Sequence, residues 1–112
     1  MLNLNISISD KNEIERLILI LNIGLMNAIN EGVLSIEEAE NLLYSPYSVG
    51  KLENIGIDDK VLNLVKLGCE LEDVESLIPD KLKESIEHIR TEAIMLLSTT
   101  EKKELPLNKW IK

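Results

Sequence analysis

A chain of 112 residues is one domain's worth, long enough to bury a single core. Twelve Lys and Arg against twenty Asp and Glu leave a formal charge of −8, which argues against partners gripped through phosphate backbones or anionic lipid headgroups. The single cysteine, Cys69, excludes an internal disulfide and suits a reducing compartment, so the expected location is cytoplasmic.

Hydrophobic residues make up 45% of the chain, the share of a folded domain and not of a disordered one. There is no Phe, and Tyr44, Tyr47 and Trp110 are the only aromatic residues. Leu and Ile must therefore supply most of the packing, which suits helices laid against helices. The opening segment, MLNLNISISD, lacks the basic region of a secretory signal. The longest apolar stretch, Leu17 to Ile29, is interrupted by Asn22, Gly24 and Asn27 and falls short of the ~20 residues of a membrane span. It reads as a buried helix.

Leu2, Leu4, Ile6 and Ile8 alternate with polar residues, the period of a half-buried strand. The alternation stops at Asp10, with Glu13 three residues on as in a capping box. A long helix follows from Lys11 to Glu31, with Ile14, Leu17, Ile18, Leu21, Leu25, Ala28 and Ile29 as its main apolar face and Gly32 as its stop. Leu19, Ile20, Ile23 and Met26 widen that face nearly all round, as in a helix at the middle of a bundle. Ser35 and Glu38 form a second capping box, opening a helix through Tyr44 whose inner residues are Ile36, Ala39, Leu42 and Leu43. Ser45-Pro46 starts a short helix over Pro46–Asn54 that ends at Gly56. Asp58 caps another over Asp59–Leu67, with Gly68 as the stop, and Leu71–Ile78 is one more. Pro79 opens the last long helix, Asp80 to Ser98, buried along Leu82, Ile86, Ile89, Ala93, Leu96 and Leu97. In the tail Pro106 forbids helix, leaving Leu105–Ile111 as extended chain suited to pair with the N-terminal strand.

The fold expected for residues 1–112 is thus a single, mainly α domain. Two long and three or four short helices form a compact bundle, with an N-terminal β-strand paired to the C-terminal tail or across a homodimer.

Three constellations carry possible chemistry. Glu84, His88 and Glu92 recur every four residues on the last helix, the residue types of a divalent metal site. Three ligands in a row along a straight helix diverge too far to share one ion, so the column reads better as a solvated face. Cys69 and His88 are the elements of a nucleophile–base pair, but no third group or oxyanion site accompanies them, and Cys69 reads as a small packed hydrophobe. The stretch INEGVLSIEEAENLL has the outline of a helix–turn–helix, yet its second helix carries Glu37, Glu38 and Glu40 where base and phosphate readers need Arg or Lys.

Two acidic clusters remain, Glu31, Glu37, Glu38 and Glu40, and Glu70, Glu72, Asp73 and Glu75. Glu37, Glu38 and Glu40 lie outward of Ile36, Ala39 and Leu43, and Asp73 and Glu75 flank Leu71, Val74 and Leu77. They read either as solubilising charge or as a docking surface for a basic protein.

The run NEGVLSIEEAENLLYSPYSV, with LGCELEDVESLIP further on, resembles a family of small uncharacterised bacterial proteins over about Leu21 to Leu97. The resemblance implies a compact helical fold and a bacterial cytoplasmic origin, and it supplies no activity and no site residues. The expectation is a non-enzymatic interaction module, a regulator or an immunity-type inhibitor, without cofactor, nucleic acid or membrane. Its partner positions are Glu37, Glu38, Glu40, Asp73 and Glu75. The alternatives are a metal-binding or enzymatic module on Glu84, His88, Glu92 or Cys69, and a helix–turn–helix-like regulator.

Overall fold

The structure, a computed structural model, describes residues 1–100 and 109–112. Six α-helices follow in chain order: α1 Lys11–Asn30, α2 Ile36–Leu42, α3 Pro46–Ile55, α4 Asp59–Cys69, α5 Leu71–Leu77 and α6 Leu82–Thr99. Two are long and four short, as expected.

Local side chains fix most of the starts. The Asp10 carboxylate accepts the Glu13 N–H at 3.0 Å. Ser35 and Glu38 form the full reciprocal box: the Glu38 N–H donates to Ser35 Oγ at 3.0 Å and the Ser35 N–H to Glu38 Oε1 at 3.2 Å. Ser45 accepts the Ser48 N–H ahead of Pro46, and Asp58 accepts the Lys60 N–H. Gly56 ends α3 in the left-handed conformation at φ 82°, where a side chain would be strained.

Several helix ends shift by one or two residues, α2 for example ending at Leu42 and not at Tyr44. Two further differences have a clear cause. Gly68 does not stop α4, which continues to Cys69. Gly68 is buried, and a Cβ there would collide with the Tyr44 ring, so the glycine is set by packing. Pro79 opens a 3₁₀ turn over Pro79–Lys81, and α6 begins only at Leu82.

The long helices α1 and α6 form the centre of the bundle. They run antiparallel: Arg90 donates through Nε to Asn27 Oδ1 at 2.7 Å, while Ile29 and Asn30 lie beside Leu82 and Ile86. The short helices α4 and α5 pack against this pair, and α2 rests on α5. Leu19, Met26, Val65, Leu71, Ile89 and Ala93 are the innermost apolar side chains of one continuous core.

The face α1 turns inward lies within the wide apolar surface expected but departs from its main stripe. Its buried residues are Ile18, Leu19, Asn22, Leu25 and Met26, whereas Leu21 is 39% exposed and Leu17 only partly covered. The helix is rotated so that Asn22, fully buried, points into the bundle. The amide is satisfied there. Its Nδ2 donates to the Ile18 carbonyl at 2.9 Å, and its Oδ1 accepts the Tyr44 hydroxyl at 2.8 Å. Burial costs little when both halves of the amide are bonded. Leu42, expected inside, is exposed, and Tyr44 takes the inner place instead.

The N-terminal strand is not formed, and no strand occurs among the described residues. Instead a single antiparallel bridge joins Ile6 to Ile111. The Ser7 N–H donates to the Trp110 carbonyl and the Lys112 N–H to the Asn5 carbonyl, both at 2.9 Å. Successive bridges are needed to make a strand, and Leu2, Leu4 and Ile6 stay exposed beside this one contact. Of the tail expected to pair, Leu105 to Asn108 lie outside the described residues. Trp110 Nε1 donates to Glu13 Oε2 at 3.4 Å, so the chain ends meet beside the start of α1.

Candidate functional site

The two acidic clusters, thirty residues apart in sequence, form one surface. The packing of α2 on α5 brings the Glu40 carboxyl beside that of Glu72. That contact holds the Glu40 carboxyl above the usual carboxylate range. Partial desolvation and the negative charges of Glu72, Glu37 and Asp73 push the same way.

The cause lies in the sequence. There is no Lys or Arg between Arg16 and Lys51, nor between Lys66 and Lys81, and the two clusters sit inside those intervals. The ion pairs Lys81–Glu84, at the start of α6, and Arg90–Glu87, within it, engage none of these carboxylates.

Glu37 and Glu75 both line a groove of about 520 Å³ bordered by α1, α2, α5 and α6. Leu34, Leu82, Ile86 and Lys83 line it as well. The groove thus combines apolar side chains with two carboxylates and one lysine.

The expected partner positions do not share one role. Glu37, Asp73 and Glu75 are exposed, and neither of the ion pairs among the described residues involves them. Glu38 is exposed too, but its carboxylate is committed to the capping box of α2. Glu40 lies beside Glu72, a member of the second acidic cluster that is not among the expected partner positions. The acidic run of residues 70–75 was visible in sequence, but not which of its side chains meets Glu40.

The other constellations are not drawn together. His88 and Glu84 are exposed on the outer side of α6, with Glu84 engaged by Lys81 at 3.5 Å, and Glu92 is partly covered. No group of three or more His, Cys, Asp or Glu side chains among the described residues is placed to hold a metal ion. Cys69, partly buried at the end of α4, has its thiol pushed up by burial and by the charges of Glu40 and Glu70. That is the opposite of the shift an attacking thiolate needs. The helix–turn–helix outline places α2 on the acidic face, where a nucleic-acid backbone is repelled. No helix among the described residues is long and apolar enough to cross a membrane.

Fold and surface together define a small, mainly helical protein with one acidic, groove-bearing face. The chain belongs to the family described as "Protein of unknown function (DUF3969)", which it matches over residues 9–112. No curated protein and no solved structure matches it.

Proposed function

We propose that this protein is a non-enzymatic interaction module that holds a basic, amphipathic segment of another protein on the α2/α5/α6 groove. One observation carries the reading: two cation-free stretches converge on a single face, and Glu37 and Glu75 line one groove with apolar side chains. Lys or Arg of a bound helix would lie against these carboxylates, and its apolar side would cover Leu34, Leu82 and Ile86. Exposed charges of this kind chiefly raise the association rate, so capture is fast at low salt and slows as salt screens it.

The test uses a helical peptide of Leu and Lys as probe and amide chemical-shift mapping on the full chain. Shifts should cluster on α2, α5 and the first turns of α6. Replacing Glu37 and Glu75 with Lys should slow association by about tenfold at low salt while the fold stays intact, because exposed positions tolerate substitution within about 0.5 kcal/mol. Glu38 is left unchanged to preserve the cap. Equal rates for variant and wild type, or shifts confined to another face, would overturn the proposal.

A further inference from the structure

α3 is held differently from the other helices. Of its ten residues, Pro46 to Ile55, only Leu52 is buried, with Ser48 and Val49 half-buried. α4, of similar length, buries five residues. α5 also buries a single side chain, Leu71, but it packs on α2, α4 and α6, whereas α3 packs chiefly on α4. No hydrogen bond among the described residues ties α3 to another helix. Ser45 Oγ accepts the Ser48 N–H at 3.2 Å, and the Gly56 N–H donates back to the Leu52 and Glu53 carbonyls. The Lys51 ammonium lies over the ring of Tyr47, one turn away. All of these contacts stay within the segment.

Its two ends are the opposite. Just before α3, Tyr44 is enclosed and its hydroxyl donates to Asn22 Oδ1 of α1 at 2.8 Å. Just after it, Ile57 is buried, and the Asp58 N–H donates to Glu15 Oε2 of α1 at 2.6 Å. A lightly seated helix thus hangs between two firm anchors. Its own sequence adds little hold. Gly50 stands in its interior, where glycine weakens a helix, and ten residues are too few for a helix to persist alone in water. The closed position therefore rests on Leu52 and Val49 against α4.

We infer that α3 is a flap: residues 45–56 lift from α4 and unwind as one unit while α1 and α6 stay folded. Parts of a fold open with free energies from near zero up to the global value, and the least enclosed parts open first. Lifting α3 withdraws one buried side chain from the core, whereas unfolding α1 and α6 exposes Leu19, Met26 and Ile89, which are enclosed almost completely. Gly56, at φ 82°, supplies a joint at one end that rotates without a side-chain clash. The open state uncovers the side of α4 beneath Leu52 and Val49, an apolar surface that the closed molecule does not present.

The experiment is amide hydrogen exchange on the full chain, followed residue by residue by NMR. The α3 amides should exchange at least about a hundredfold faster than the slowest amides of α1 and α6. Ile89→Val should speed those slowest amides about two- to tenfold and leave the α3 amides unchanged, because Ile89 is packed whether the flap is open or closed. Gly50→Ala should slow the α3 amides about fivefold, since nothing stands within 4 Å of a Cβ there and alanine favours the helix. Leu52→Ala should speed them at least about tenfold, with the amides of α1 and α6 still protected. α3 amides as slow as those of α6 overturn the inference, as does a Gly50→Ala variant whose α3 exchange is unchanged. So does an Ile89→Val variant that speeds α3 and α6 alike, since α3 would then open only when the whole chain unfolds.

Discussion

The two sides of α1 each carry an exception to the usual assignment of polar and apolar residues. Its inner side includes Asn22, with none of its surface exposed, while its outer side leaves Ile20 and Leu21 to solvent. What sets the rotation is the availability of partners. Asn22 turned inward finds the Tyr44 hydroxyl and the Ile18 carbonyl, and it frees Leu19 and Met26 to be enclosed completely. A leucine is stable on either side, because exposing one apolar side chain is common. A polar residue enters the core only where its bonds are waiting.

The largest effects should distinguish the two sides directly. Leu19→Ala should cost about 2–5 kcal/mol in denaturant unfolding, as expected for a fully enclosed leucine. Leu21→Ala, two residues away, should cost under about 1 kcal/mol, because much of the side chain is already in water. Similar losses at both positions would mean that α1 is not rotated as described.

A middle-sized effect tests the buried pair. Tyr44→Phe removes the donor to Asn22 and should cost about 1–3 kcal/mol, the penalty of an unsatisfied buried acceptor. Adding Asn22→Leu should recover most of that loss, and a double-mutant cycle measures the coupling. Additive losses would show that the hydrogen bond contributes nothing beyond its separate parts.

The smallest effect belongs to the opposite kind of environment, the acidic face. The Glu40 carboxyl is raised when folded, so the folded chain holds a proton more tightly than the unfolded one. Stability therefore falls as pH rises from the ordinary glutamate value, 4.5, through the raised one, and the penalty is absent below both. Glu40→Gln should flatten that slope and slightly raise the melting temperature at neutral pH. A slope unchanged in the variant would place the strain elsewhere in the cluster.

The helix map was largely legible in the sequence because its determinants are local. Asp10, Ser35, Ser45 and Asp58 each bond to backbone within three residues, so spacing alone reveals them. The rotation of α1 was not legible, since it depends on Tyr44, 22 residues away. Gly68 misled for the same reason. A glycine at a helix end reads as a stop, and only the fold shows an aromatic ring against it. The alternation of Leu2 to Ile8 was real, but its edge finds one bridge and no continuing ladder. Both acidic clusters were visible as composition, and their union needed the contact of α2 with α5.

Trp110 is the chain's one tryptophan, and it is partly buried where the two chain ends meet, donating to Glu13. The protein's indole emission is thus an optical gauge of a single place. It follows the docking of the termini onto the first turn of α1 and is blind to the aliphatic interior, which contains no other indole. Far-ultraviolet ellipticity follows the helices. The molecule carries two separate instruments, and any lag between them during unfolding times the release of the chain ends against the melting of the bundle.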